Sequence, residues 1–80
     1  MKRIPRDISG KELIKALHVL GYKQTRQIGS HIRLTTFENG EHHITIPNHD
    51  PIRIGTISNI ITEIAFHFQI SKDELIKRIF

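Results

Sequence analysis

The first hydrophobic pattern along the chain is helical. Leu13, Ile14, Leu17 and Leu20 recur at intervals of three and four, which gathers them on one face of an α-helix. Ser9 stands at the N-cap position, and Glu12 three residues later completes a capping box. Ile8 before the cap and Leu13 after it form a hydrophobic staple, and Gly21 supplies a left-handed stop. The pattern predicts a helix over residues 10–20.

The period then changes from helical to strand-like. Three segments follow, over residues 22–27, 30–37 and 42–47. In the second, Ile32 and Leu34 alternate with His31, Arg33 and Thr35; in the third, Ile44 and Ile46 alternate with His43 and Thr45. The link between them, Glu38-Asn39-Gly40, first suggests a two-residue Asn-Gly turn. That turn would set Ile44 opposite Thr35 and Ile46 opposite Arg33, splitting the apolar residues between faces. A three-residue loop with a left-handed Gly40 sets Leu34 against Ile44 and Ile32 against Ile46. A one-residue slip turns every side chain over, so burial selects the three-residue loop. His31, Arg33, Thr35, His43 and Thr45 then share the face turned away from the core.

Asn48-His49-Asp50-Pro51 reads as a turn. His49 is a turn residue in this reading, with the open face of the sheet within its reach as the alternative. Beyond it, Ile57, Ile60, Ile61 and Ile64 return to helical spacing, in a helix beginning at Gly55 or Thr56. Ser71 and Glu74 form a second capping box ahead of a short helix bearing Leu75, Ile76 and Ile79. The order is α-β-β-β-α with an extra C-terminal helix. This is an α+β domain: a three-stranded antiparallel sheet with helices on one face and the other face open for binding. No repeat or linker divides the chain, so residues 1–80 form one domain.

Composition narrows the function classes. Eighty residues exclude a large multi-substrate enzyme, and the absence of cysteine excludes a disulfide framework or a thiolate metal site. No apolar run approaches the ~18 residues of a membrane span. The N-terminus has a basic start but no apolar stretch of the kind a signal peptide needs, so the expectation is a cytoplasmic protein with no membrane association. The charge is uneven. Residues 1–33 hold eight lysines and arginines against two acids, whereas residues 34–80 hold four against six. A basic half on a small domain points to a polyanion, nucleic acid before membrane; a solvated basic surface gives the same count.

The segment Gly29-Ser30-His31-Ile32-Arg33 carries the candidate chemistry. Gly29-Ser30 is a turn signal that opens the second strand. A neutral imidazole at His31 can take a proton near pH 7. The guanidinium of Arg33, on the same face, can hold a phosphate or its developing charge. RNA brings its own nucleophile, the 2′-hydroxyl, so a minimal ribonuclease needs only a base, a cation and positioning. On the residues alone, an exposed histidine on a solvated strand fits the same pattern.

The other histidines offer less. His43 lies four residues further along the same face, about 13 Å from His31, too far to share one phosphate with it. His42 and His43 point to opposite faces, and with His49 they lack a zinc spacing, so no metal site is expected. His18 and His67 sit in helical stretches and read as structural. Tyr22 reads as a core or edge aromatic rather than a stacking platform.

The sequence resembles the HicA family of toxins, the small mRNA-cleaving partners in HicA–HicB toxin–antitoxin pairs. The resemblance rests on Ser9-Gly10-Lys11-Glu12-Leu13-Ile14-Lys15-Ala16-Leu17 and Gly21-Tyr22, then on Arg26-Gln27-Ile28-Gly29-Ser30-His31-Ile32-Arg33. It continues through Ile44-Thr45-Ile46-Pro47-Asn48-His49 and Ile54-Gly55-Thr56-Ile57, covering about residues 8–66 in order. Residues 67–80 lie outside it, as a C-terminal extension. The resemblance implies a double-stranded-RNA-binding-like fold, in agreement with the order derived above. It also implies that His31 is the catalytic residue, that the substrate is mRNA, and that a HicB-type antitoxin neutralises the protein, with higher-order assembly of the pair as a further expectation.

The expected mechanism places RNA across the sheet face and the first helix. Lys11, Lys15, Lys23 and Arg26 are candidate phosphate contacts, Gly29 and Ser30 at the turn are further candidate RNA-binding residues, His31 is the general base and Arg33 steadies the phosphate. No cofactor is needed. No second histidine is placed to serve as the acid, so water or a partner residue would protonate the leaving oxygen, and turnover would be slow. A non-catalytic RNA-binding module and an inactive interaction domain are the alternatives.

Overall fold

The computed structural model describes residues 4–80; Lys2 and Arg3, counted above in the basic half, lie outside them. The first helix, α1, spans Gly10–Leu17 and continues as one 3₁₀ turn over His18–Leu20. Its start is a full capping box. The Glu12 backbone N–H donates to Ser9 Oγ at 3.1 Å, and the Ser9 N–H donates to Glu12 Oε1 at 3.2 Å. Gly21 ends the helical stretch at φ 81°, a conformation costly for any residue with a Cβ.

Three strands follow: β1 (Lys23–Ile28), β2 (His31–Thr36) and β3 (His42–Pro47), in the order β1-β2-β3 and antiparallel throughout. The β2–β3 register pairs Ile32 with Ile46 and Leu34 with Ile44, as burial requires. The last ladder pair is Thr36 with His42, so the connection runs over Phe37–Glu41, wider than the three-residue loop expected. Both Asn39 (φ 57°) and Gly40 (φ 99°) take the left-handed sense, which opens the turn by one pair while keeping the register.

The β1–β2 hairpin closes through Gly29-Ser30, with Ile28 opposite His31 and Gly29 at φ 57°. Its ladder is interrupted at Thr25, the surplus residue of a β-bulge between Gln24 and Arg26. Simple alternation from Lys23 would turn Arg26 toward the helices. The bulge instead sets Arg26 against Arg33 and brings Gln24 and Gln27 to the same face, where their side chains meet at 3.5 Å.

Two helices complete the fold: α2 (Ile54–Phe68) and α3 (Lys72–Ile79). α2 starts at Ile54, with Arg53 at its N-cap making no side-chain bond. At α3 only half of the expected capping box forms, the Glu74 N–H donating to Ser71 Oγ at 3.0 Å. The core lies between one sheet face and the helices. Leu13 and Leu17 of α1, Ile32, Leu34, Ile44 and Ile46 of the sheet, and Ile57, Ile61 and Ile64 of α2 are all buried in it. Leu75, Ile76 and Ile79 of α3 join the same cluster. No described helix is long and apolar enough to cross a membrane.

Candidate nucleic-acid interface

The tight Gly29-Ser30 turn makes His31 the first residue of the central strand, with Ile28 beside it on one side and Pro47 on the other. His31 is exposed, and its imidazole has no hydrogen-bond partner among the described residues. Two open depressions adjoin it. The smaller, about 140 Å³, is lined by Arg26, Ile28, His31, Arg33 and Thr45. The larger, about 490 Å³, is lined by His31, Thr45 and Pro47 together with His49, Ile52, Arg53 and Thr56.

Arg26 and Arg33 therefore meet beside His31. Neither is engaged in a hydrogen bond or ion pair among the described residues. Like charges directly across a ladder repel, and an anion placed between them relieves the repulsion. Ile28, 61% exposed, adds an apolar surface at the edge of this cationic patch.

The remaining expected contacts are more scattered. Lys23 sits opposite Thr35 at the far end of the open face, lining a separate depression with Thr25, Thr35 and Phe37. Four residues of β2 separate that point from His31, about 13 Å. Lys11 and Lys15 are exposed on α1, which packs on the other, core face of the sheet; neither lines the depressions at His31. Gly29 has open space around it, so its requirement is its positive φ alone.

The open face is not open throughout. Thr35 is 5% exposed, contrary to expectation, because Thr25 and His43 close over it. The Thr35 hydroxyl donates to His43 Nδ1 at 2.7 Å, and Thr25 donates to Thr35 Oγ1 at 3.0 Å. His43 Nε2–H in turn donates to Glu41 Oε2 at 2.6 Å. With both ring nitrogens held, His43 is fixed far from His31.

The opposite face of β3 carries a second histidine cluster that the sequence did not reveal. The Tyr22 hydroxyl donates to His42 Nδ1 at 2.7 Å, and His42 Nε2 faces Glu63 Oε2 at 3.3 Å. The His42 ring stacks on His67 with centroids 4.5 Å apart, and His67 Nε2–H donates to the Glu38 carbonyl at 3.0 Å. Burial holds the Tyr22 phenol well above its ordinary range, with Glu63 adding to the effect. Burial also lowers His42, helped by the neighbouring His67 and opposed by Glu63. One ring nitrogen of His42 thus meets Tyr22 and the other turns to Glu63. The cluster joins Tyr22 just before β1, β3, the loop between β2 and β3, and α2. His67 holds the loop before β3 through its bond to Glu38 and its stack on His42. Among the described residues no group of three or more His, Asp or Glu is suited to a metal ion.

The segment after β3 follows the sheet a little further. The Asn48 N–H donates to the Ser30 carbonyl at 2.6 Å, and the Gly10 N–H donates to the His49 carbonyl at 2.9 Å. A Cβ on Gly10 would stand 2.5 Å from the Pro47 carbonyl oxygen, so only glycine allows this approach. This is the physical reason for Ser9-Gly10: the cap starts the helix, and the glycine seats it against the end of β3.

A histidine at the head of the central strand, flanked by two arginines on the uncovered face of a helix-backed antiparallel sheet, defines a small basic α+β domain whose open face suits a polyanion. The family model for the "HicA toxin of bacterial toxin-antitoxin" matches residues 10–65, and the chain belongs to that family of toxins. No curated protein and no solved structure matches the chain significantly.

Proposed function

We propose that the protein is the toxin of a type II toxin–antitoxin pair and acts as a metal-independent endoribonuclease on mRNA, inhibiting translation. The observation that carries this reading is the meeting of His31, Arg26 and Arg33 at one depression on the uncovered face of the sheet. His31 takes the proton of a 2′-hydroxyl. The freed oxygen attacks the adjacent phosphorus, and Arg33 and Arg26 hold the non-bridging oxygens as negative charge builds there. Lys23 extends the cationic track along the sheet, while Lys11 and Lys15 on α1 contact only RNA that wraps past the sheet edge. Recognition of this kind works through backbone and 2′-hydroxyls rather than strict sequence. The neutralising partner is a HicB-type antitoxin, whose acidic surface would complement the same cations.

The test is cleavage of RNA by the purified protein in the presence of a chelator, with the new ends identified chemically. A 2′,3′-cyclic phosphate, and no cleavage of the matching DNA, is the expected result. Salt-sensitive RNA binding without cleavage would leave a non-catalytic binding module in its place.

A further inference from the structure

We propose that His49 is the general acid of the cleavage reaction, donating the proton that the leaving 5′-oxygen requires. This rests on the ribonuclease reading and supplies the group that reading lacks. His31 and His49 line the same depression of about 490 Å³, together with Arg53.

The placement follows from the backbone. Pro47 is the ladder partner of His31, and the Asn48 N–H bond to Ser30 carries the ladder one pair further. His49 then has the parity of Thr45 and Pro47, the residues of β3 that face away from the core. One cross-strand step and two residues along the chain put its Cα about 8 Å from that of His31. Two imidazoles at that separation can bracket one phosphate from either side. The His49 carbonyl is anchored by Gly10, while its imidazole is exposed and makes no hydrogen bond among the described residues. No other histidine lines either depression at His31. His43 is held at both nitrogens by Thr35 and Glu41, and His42 and His67 stack on the core side.

The step balances without a further reactant. His31 removes the 2′-hydroxyl proton, and the 2′-oxygen forms a bond to phosphorus. The bond from phosphorus to the 5′-oxygen breaks, and its electron pair stays on that oxygen. Protonated His49 delivers the proton there. The products are a 2′,3′-cyclic phosphate and a free 5′-hydroxyl, and the two histidines exchange their protons through water before the next cycle.

The experiment uses one RNA oligonucleotide in two forms, with either oxygen or sulfur as the bridging 5′-atom at a linkage the wild type cuts. A thiolate leaves without a proton. His49→Ala is expected to slow cleavage of the oxygen form about 100-fold or more and to recover most of the loss on the sulfur form. His31→Ala is expected to be slow on both. Wild-type rates for His49→Ala on the oxygen form would overturn the assignment. So would an equal deficit on the two forms, which would make His49 a binding residue. If the wild type cuts neither form, it is the ribonuclease reading itself that fails, a result distinct from these.

Discussion

Arg26 lies directly across the β1–β2 ladder from Arg33, and among the described residues neither has an ion-pair partner. Two like charges at that spacing repel, and an anion set between them would relieve the repulsion. Arg26→Ala or Arg33→Ala is expected to change folding stability by no more than about 0.5 kcal/mol. Each should weaken RNA binding and reduce the slope of log affinity against log salt by about 0.7, one phosphate contact on single-stranded RNA. Salt titrations in a His31→Ala background, where cleavage does not intrude, measure this.

His31→Ala should leave the fold intact, because the side chain is exposed and bonds to none of the described residues. Loss of a general base predicts a cleavage rate lower by about 100-fold or more. Induction of both proteins in bacteria, following growth and mRNA integrity together, is the cellular test. Arrest with mRNA loss by the wild type alone is expected; equal arrest by His31→Ala would show toxicity through binding.

Two glycines should respond oppositely to alanine. Gly10→Ala forces a Cβ against the Pro47 backbone and is expected to cost about 1–3 kcal/mol. Gly55, within α2, has nothing within 4 Å of a Cβ, so Gly55→Ala should be neutral or stabilising by up to about 1 kcal/mol. Urea denaturation of the two variants decides it.

The burial of His42, with His67 beside it, predicts a pH dependence of stability. Folding lowers the proton affinity of His42 from its ordinary value of 6.5, so the unfolded chain binds the proton more readily. The contribution is full above pH 6.5 and is lost as pH falls from there through the lowered folded value. Denaturation midpoints from pH 8 to 5 should therefore drop below about pH 6.5, and His42→Gln should flatten part of that drop.

α3 lies beyond the residues that match the family, yet Leu75 is fully buried in the common core. Leu75→Ala is expected to cost about 2–5 kcal/mol, as for any large core deletion. A loss below about 1 kcal/mol would show α3 to be an appendage rather than part of the core.

The β2–β3 register was legible because each strand alternates isoleucine or leucine with polar residues, and only one pairing buries both sets. The α1 boundary was legible from Ser9, Glu12 and Gly21. The Thr25 bulge was not. β1 is polar on both sides, its six residues are all exposed, and no apolar alternation records which way each side chain turns. For His49 the sequence left two placements open, turn or open face, because its orientation depends on a backbone bond from Asn48 to Ser30, which no local pattern encodes. The Tyr22, His42, Glu63 and His67 cluster is assembled from three separate segments, and only the closed fold brings them into register.

The surplus residue in β1 has a consequence for association as well as for orientation. An exposed edge strand is a template onto which a further strand can grow, and a bulge that bends and twists the strand spoils that template. Thr25 also ties itself inward, to Thr35 and to the Arg33 carbonyl, rather than offering itself outward. A partner approaching β1 therefore meets a relief of side chains and no continuous row of backbone donors and acceptors. Docking that masks His31 would come over the face of the sheet, by fit and charge, and not by adding a strand along that edge.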